Sequence, residues 1–105
     1  MSERVLVTGA SGFVGMAVLE RLCRDGGRSI VAAMRAPLRM TLPARVQVLQ
    51  VGNLDETTVW RAGLAGVTTV VHCAARTHVT RGDDAHSLAE YRRVNVDGTL
   101  ALARQ

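Results

Sequence analysis

Four short apolar runs are spaced along the chain, and each gives way to glycine or to a more polar segment. They lie at 4–8, 30–34, 46–51 and 67–72. Unbroken β-branched runs of this length are typical of strands that are covered on both faces, and the alternating run at 46–51 also indicates a strand. The pattern therefore predicts four strands.

The segments between these runs carry helical spacing. Apolar positions predict a helix from 13 to about 24, which the glycine pair at 26–27 ends. Asn53 and Glu56 stand in capping-box spacing and predict a second, short helix to about residue 62. A polar stretch at 76–84 precedes a third helix that runs to the end of the chain.

Strands that alternate with helices predict an α/β fold with a parallel sheet. Right-handed crossovers would place the four strands in the order 3-2-1-4, which is the opening half of a doubly wound sheet.

Composition narrows the function classes. The chain has 13 basic and 9 acidic residues and a net charge of +4, and every basic residue is arginine. These arginines are dispersed, and with one Trp, one Tyr and one Phe there is no aromatic platform for bases, so we expect no nucleic-acid partner.

No apolar run approaches the ~20 residues of a membrane span or forms a signal-peptide core, so we expect a cytoplasmic protein without membrane contact. The spacings of the cysteines and histidines fit no metal motif.

A glycine-rich turn joins the first predicted strand to the first helix. Gly9, Gly12 and Gly15 recur at intervals of three. We expect Gly9 to adopt a positive φ, Gly12 to let a pyrophosphate approach free amides at the helix start, and Gly15 to prevent a collision between helix and sheet. Glycines occur in many strand–helix turns, but this spacing within a β-α-β pattern predicts dinucleotide binding. A Walker-type phosphate loop is excluded, because the chain has no lysine.

The residue that ends the second strand bears on the type of cofactor. An acid there would hold ribose hydroxyls, as flavin and methyltransferase sites prefer, whereas a nearby arginine accommodates a 2′-phosphate. The residue is Arg35, with Arg39 close enough in sequence to assist. Arg35 therefore slightly favours NADP over NAD, although an arginine here also suits a solvated surface.

Four segments, in this order, resemble the NAD-dependent epimerase/dehydratase family, the extended branch of the short-chain dehydrogenase/reductase superfamily. They are TGASGFVG at 8–15, GNLDE at 52–56, VVHCAA at 70–75 and YRRVNVDGTLAL at 91–102. The resemblance implies that residues 1–105 form the N-terminal part of an NAD(P)-binding Rossmann domain, without its later strands and its substrate region.

By resemblance, the turn meets the pyrophosphate, the segment after the third strand borders adenine, and the end of the fourth strand lines the ribose and the approach to nicotinamide. Asn53 stands where the family more often has Asp. The implied cofactor-binding residues are Gly9, Ser11, Gly12, Phe13, Val14, Gly15, Arg35, Asn53, Leu54, Cys73, Ala74, Ala75, Arg76, Thr77 and Asn95.

The last helix carries Leu88, Tyr91, Asn95, Gly98 and Leu102 at a spacing that places them on one face. We expect this face to pack on the sheet, with Gly98 allowing a close approach. A buried Asn95 would need hydrogen bonds, either to the sheet or to the cofactor. Tyr91 is not predicted to be catalytic, because family catalysis uses a later Tyr-x-x-x-Lys pair and the chain has no lysine.

The resemblance implies that the whole protein transfers hydride to and from a nicotinamide cofactor and epimerises or dehydrates a nucleotide sugar. Alternatives are an NADPH-dependent reductase of a carbonyl substrate and a non-catalytic NAD(P)-sensing protein. Residues 1–105 alone should be catalytically inactive. An unpaired fourth strand also predicts self-association into a homo-oligomer.

Overall fold

The computed structural model of the chain describes residues 3–35, 42–75 and 85–105. The elements, in chain order, are β1 (Glu3–Thr8), α1 (Phe13–Asp25), β2 (Arg28–Met34), β3 (Val46–Gln50), α2 (Arg61–Leu64), β4 (Thr69–His72), α3 (Ala85–Arg92), a π-helical segment (Arg93–Gly98) and α4 (Thr99–Arg104). The four strands form one parallel sheet in the order β3-β2-β1-β4. This order and the α/β architecture confirm the prediction from the sequence.

The two central strands are buried on both faces, which explains why their sequences are unbroken apolar runs. One face of the sheet presents Val5, Val7 and Ile30 to a core that includes Leu19 of α1. The opposite face presents Leu6 and neighbouring side chains of β2 to a second core. Because side chains alternate along a strand, a strand covered by helices on both sides needs apolar residues at every position.

The second core is filled from the segment after β3 and from the C-terminal helix. Trp60 and Leu102 pack there against β1 and β2, and Trp60 is fully buried. The backbone N–H of Trp60 donates a hydrogen bond to Oε1 of Gln105 at 2.8 Å, which ties the two segments together. The side chain of Gln105 also donates to the carbonyl oxygen of Thr58 at 2.8 Å.

The prediction that a short helix begins near Asn53 is wrong. The helix here is only α2, and the residues before it form turns around Asp55. Oδ1 of Asp55 accepts hydrogen bonds from the backbone N–H and the hydroxyl of Thr57 at 2.7 and 2.6 Å, and these bonds lower the pKa of the Asp55 carboxyl. Local side-chain bonds of this kind compete with helix formation, so they replaced the predicted capping box.

The C-terminal helix was predicted with the right extent among the described residues, and its predicted buried face is right at Gly98 and Leu102 but wrong at Leu88 and Asn95. Residues 93–98 are π-helical, and a π-helical turn holds one more residue than an α-helical turn. Val94 therefore packs against the second core, whereas Leu88 and Asn95 are exposed. Gly98 is buried as predicted, but a Cβ there would lie 3.1 Å from Cβ of Leu54, so its close neighbour is the segment after β3 rather than the sheet.

Candidate functional site

A cavity of about 560 Å³ opens at the carboxyl ends of β1, β2 and β4. In open α/β sheets, ligands bind at this edge of the strands. The sequence-predicted residues that line it are Gly9, Ser11, Gly12, Arg35, Asn53, Leu54, Cys73, Ala74 and Ala75. Phe13, Val14 and Gly15 lie beside it in the first turn of α1, and Arg76, Thr77 and Arg39 fall outside the described residues.

Asn95 was predicted to lie on the sheet-facing side of the last helix, and that placement was wrong. Its side chain is exposed, and it is not among the residues that line the cavity. The π-helical segment turns Arg93 and Val94 toward the cavity instead.

The glycine turn lies directly against the end of β4. Gly9 has a φ of 62°, as the sequence predicts, and a Cβ on it would lie 2.7 Å from the backbone nitrogen of Ala74. Both the backbone conformation and the space therefore require glycine. This close approach brings two backbone segments together as one wall of the cavity.

Gly15 removes a collision, but not the predicted one with the sheet. A Cβ at this position would lie 2.0 Å from the carbonyl oxygen of Gly9, which belongs to the turn itself. The carbonyl of Gly9 also accepts a hydrogen bond from the N–H of Gly12 at 3.0 Å. The absence of a side chain at Gly15 thus lets α1 begin directly against the turn.

The start of α1 is suited to an anion. Its N-cap is Gly12, which has no side chain to cap the helix, and its first turn contains no acidic residue. The first intrahelical hydrogen bond runs from the N–H of Met16 to the carbonyl of Gly12 at 2.8 Å. The N–H groups of Phe13 and Val14 come before it and therefore have no acceptor within the helix. Such amides and the helix dipole favour a phosphate.

At the other end of the cavity, Arg35 follows directly on β2 and is exposed. Its Nη1 lies 3.5 Å from Oδ1 of Asn53, a contact at the outer limit of a hydrogen bond. The guanidinium is therefore free to turn to a ligand at little cost. Leu54, which is buried, forms an apolar wall next to this polar pair.

Several lining residues were missed in the sequence. Thr8 lies on the cavity wall at the end of β1, directly before the glycine turn, and nothing in its sequence context marked it as a lining residue. Glu90 and Arg93 form an ion pair that also lines the cavity. Arg93 begins the π-helical segment, and no motif in the sequence marked it as a cavity residue.

Within residues 3–35, 42–75 and 85–105, no cluster of three or more His, Cys, Asp or Glu side chains has the geometry to hold a metal ion. In the same residues, no helix has the length and apolar character that crossing a membrane requires.

Residues 5–104 match the profile of the NAD dependent epimerase/dehydratase family. The chain is 34% identical over 105 residues to a UDP-glucose 4-epimerase of Vibrio cholerae, a match that covers 100% of this chain and 31% of that protein. It is 37% identical over 103 residues to a 3 beta-hydroxysteroid dehydrogenase/Delta 5-->4-isomerase of Mycobacterium tuberculosis, which covers 94% of this chain and 27% of that protein. The chain thus spans less than a third of the length of these curated relatives.

The fold is similar to that of a short chain dehydrogenase from Burkholderia cenocepacia, solved in complex with NADP. The two structures superpose with a TM-score of 0.82 at 25% identity, over 98% of this chain and 46% of that chain. The cavity described above therefore lies in a fold that holds a dinucleotide in a related protein.

Proposed function

The chain belongs to the NAD dependent epimerase/dehydratase family, and from that membership we propose that it binds the dinucleotide NAD or NADP in the cavity at the carboxyl ends of the strands. The observation that carries the proposal is the glycine turn. Gly9 packs against Ala74, and Gly15 packs against Gly9, so that bare backbone and an uncapped helix start face the cavity.

Each part of the cavity matches one chemical part of the cofactor. The amides at the start of α1 would bind the diphosphate, and Asn53 with Leu54 would border adenine. Cys73, Ala74 and Ala75 leave room for the ribose at the end of β4, and Arg76 and Thr77 extend this side by family resemblance. Arg35 and Arg39 would select between a 2′-hydroxyl and a 2′-phosphate, and the exposed guanidinium of Arg35 supports NADP.

For the whole protein we propose hydride transfer coupled to epimerisation or dehydration of a nucleotide sugar, which the UDP-glucose 4-epimerase relative supports. Residues 1–105 would then form the N-terminal part of its dinucleotide-binding domain, and the chemistry would depend on residues outside them. A dinucleotide bound there would supply the acceptor and donor of the hydride. This chain's own residues bind and orient it, and by themselves should give no turnover.

The runner-up is an NADPH-dependent carbonyl reductase. Arg35 favours this alternative, and the similarity to a hydroxysteroid dehydrogenase shows that relatives in this range of identity act outside sugar chemistry. A non-catalytic NAD(P) sensor is a third candidate. A Tyr-x-x-x-Lys pair in the remainder of the protein would favour either enzyme over the sensor.

The experiment is a titration of the chain with NADH and with NADPH, followed by the emission of Trp60, the single tryptophan, which lines the cavity. We expect Arg35→Ala to weaken NADPH binding about tenfold or more and to leave NADH binding nearly unchanged, because a charged hydrogen bond to phosphate contributes roughly 1.5–3 kcal/mol. Arg21→Ala, at an exposed position of α1, is the matched control.

Two results would count against these assignments. If NADH binds more tightly than NADPH and Arg35→Ala changes neither, the preference for NADP is wrong. If neither cofactor binds and a heat-of-binding measurement agrees, these residues do not form a dinucleotide site by themselves.

A further inference from the structure

A chain of hydrogen bonds runs beneath the cavity through the side chain of His72. Nδ1 of His72 lies 2.7 Å from Oγ1 of Thr8, and Nε2 lies 3.0 Å from Oγ1 of Thr99. Oγ1 of Thr8 also accepts hydrogen bonds from the backbone N–H groups of Cys73 and Ala74 at 3.0 and 3.1 Å. These hydrogen bonds therefore link β1, β4 and α4.

The number of protons on each group determines the state of the ring. The hydroxyl of Thr99 donates its single proton to the carbonyl oxygen of Asn95 at 2.8 Å, so its oxygen accepts from Nε2–H of His72. Thr8 accepts two amide protons, which occupy both of its lone pairs, so its hydroxyl proton goes to Nδ1 of His72. Only a neutral imidazole with its proton on Nε2 satisfies every bond.

These bonds hold the part of the cavity wall that the glycine turn touches. The backbone N–H of Ala74 donates to Oγ1 of Thr8. The same nitrogen atom would lie 2.7 Å from a Cβ at position 9, which is why only glycine fits there. Thr8, Cys73 and Ala74 line the cavity, whereas His72 is not among its lining residues. His72 thus acts on the site through Thr8.

We propose that neutral His72 is a positioning residue for the dinucleotide site, and that a second proton on its ring loosens the cavity wall and weakens cofactor binding. The inference rests on the proposed function. A proton on Nδ1 would point at the hydroxyl of Thr8, which has no lone pair left to accept it. Thr8 would have to release the N–H of Ala74, or that of Cys73, which would then keep its 3.3 Å bond to the carbonyl oxygen of Thr8; in either case the wall would lose a bond to Oγ1 of Thr8.

The surroundings of His72 favour the neutral ring. β1 presents Thr8 to it, the C-terminal helix presents Thr99, and its neighbours along the chain are Val71 and Cys73. Burial lowers the pKa of His72 below its ordinary value of 6.5, and no charged group among the described residues adds to that shift. The unfolded chain therefore takes up the proton first as the pH falls. The contribution of the neutral ring to stability is complete above about pH 6.5 and decreases below it.

The first test reads the ring directly. Nitrogen-detected NMR of the histidine side chains at neutral pH, with His72 assigned by its loss in His72→Asn, should show the Nε2–H tautomer. An Nδ1–H tautomer or an imidazolium at neutral pH would overturn the proposal, whether or not a cofactor binds.

The second test measures NADH affinity as a function of pH. We expect wild-type affinity to be several-fold weaker at about pH 5 than at about pH 7, because the second proton disrupts the contact with Thr8. His72→Asn keeps an acceptor near the Nδ1 position and cannot gain a charge, so it should bind NADH with little dependence on pH. His72→Leu removes the acceptor and should bind weakly at every pH, with circular dichroism as the check that it is folded.

The outcomes separate the two proposals. If NADH binds with a pH profile that is the same in wild type and His72→Asn, the role of His72 is wrong and the proposed function stands. If the NMR tautomer is as expected but NADH binds at no pH, the proposed dinucleotide site is wrong. The proposed role of His72 in cofactor binding is then wrong as well.

Discussion

At the scale of single residues, the three glycines of the turn differ in what they accommodate. Gly9 is required by its positive φ and by the nearby backbone of Ala74. Gly15 has an ordinary helical position, and a side chain there is excluded by the carbonyl of Gly9, with Cα of Ala10 also close at 3.1 Å. A Cβ at Gly12 would lie 3.3 Å from the same carbonyl oxygen, which is tight but tolerable with a small shift. Contacts inside the turn therefore disfavour a side chain at Gly12 and Gly15, whereas Gly9 is required by its own φ and by the end of β4.

This difference predicts that Gly15→Ala is more harmful than Gly12→Ala. The Cβ at position 15 must displace the turn or the helix, which costs about 1–3 kcal/mol in a packed region. We expect Gly15→Ala to weaken NADH binding about tenfold or more in a calorimetric titration, and Gly12→Ala to weaken it less.

A control separates the turn from the helix. Ala17→Gly lowers helix stability by about 0.5–1 kcal/mol at an exposed position of the same helix and should leave affinity unchanged. Equal binding by Gly15→Ala and wild type would contradict the packing argument.

At the scale of elements, the segment from β3 to β4 is held by one large side chain. Trp60 is fully buried between the sheet and the C-terminal helix, although α2, which follows it, has only four residues. Its indole Nε1 is buried and has no hydrogen-bond partner within the described residues. Burial of an unpaired donor costs roughly 1–3 kcal/mol, so packing of the ring must outweigh that cost.

Trp60→Ala should therefore lower the free energy of unfolding by about 3–5 kcal/mol, measured by urea denaturation. Trp60→Phe should cost clearly less, because it keeps an aromatic ring and removes the unpaired donor. Val59→Ala, at a neighbouring side chain that is 73% exposed, is the control and should stay within about 0.5 kcal/mol of wild type. A loss for Val59→Ala as large as that for Trp60→Ala would contradict the assignment.

At the scale of the whole molecule, the described sheet has two open edges. β4 is one of them and pairs only with β1 in the sheet order. Val70 of β4 is 40% exposed, so this edge combines free backbone groups with apolar surface. Exposed apolar edge strands are prone to pair with another chain.

We therefore expect the chain of residues 1–105 to self-associate, which sedimentation velocity would show as species larger than the monomer. Val70→Lys should shift the profile toward monomer, because an edge charge opposes strand pairing. Val59→Lys introduces the same charge at an exposed position outside the sheet and should have no such effect. A wild-type chain that sediments strictly as a monomer would count against the prediction.

The sequence by itself determined the four parallel strands, their order and the turn at Gly9. The strands and the turn depend on local information: the apolar runs of β1 and β2 report burial on both faces, and a positive φ after a strand selects glycine. The order of the strands follows from the right-handed crossovers between them. The family resemblance extended this to the residues around the cavity. Nine of them line it: Gly9, Ser11, Gly12, Arg35, Asn53, Leu54, Cys73, Ala74 and Ala75.

Only the tertiary structure decided the features that depend on distant parts of the chain. The contact partner of Gly15, the π-helical turn that exposes Asn95 and brings Arg93 to the cavity, and the bond between Thr8 and His72 across 64 residues have no local pattern. Each follows from packing between segments that the chain brings together only on folding. A periodic pattern records which side of an element is buried, but it does not record what buries it.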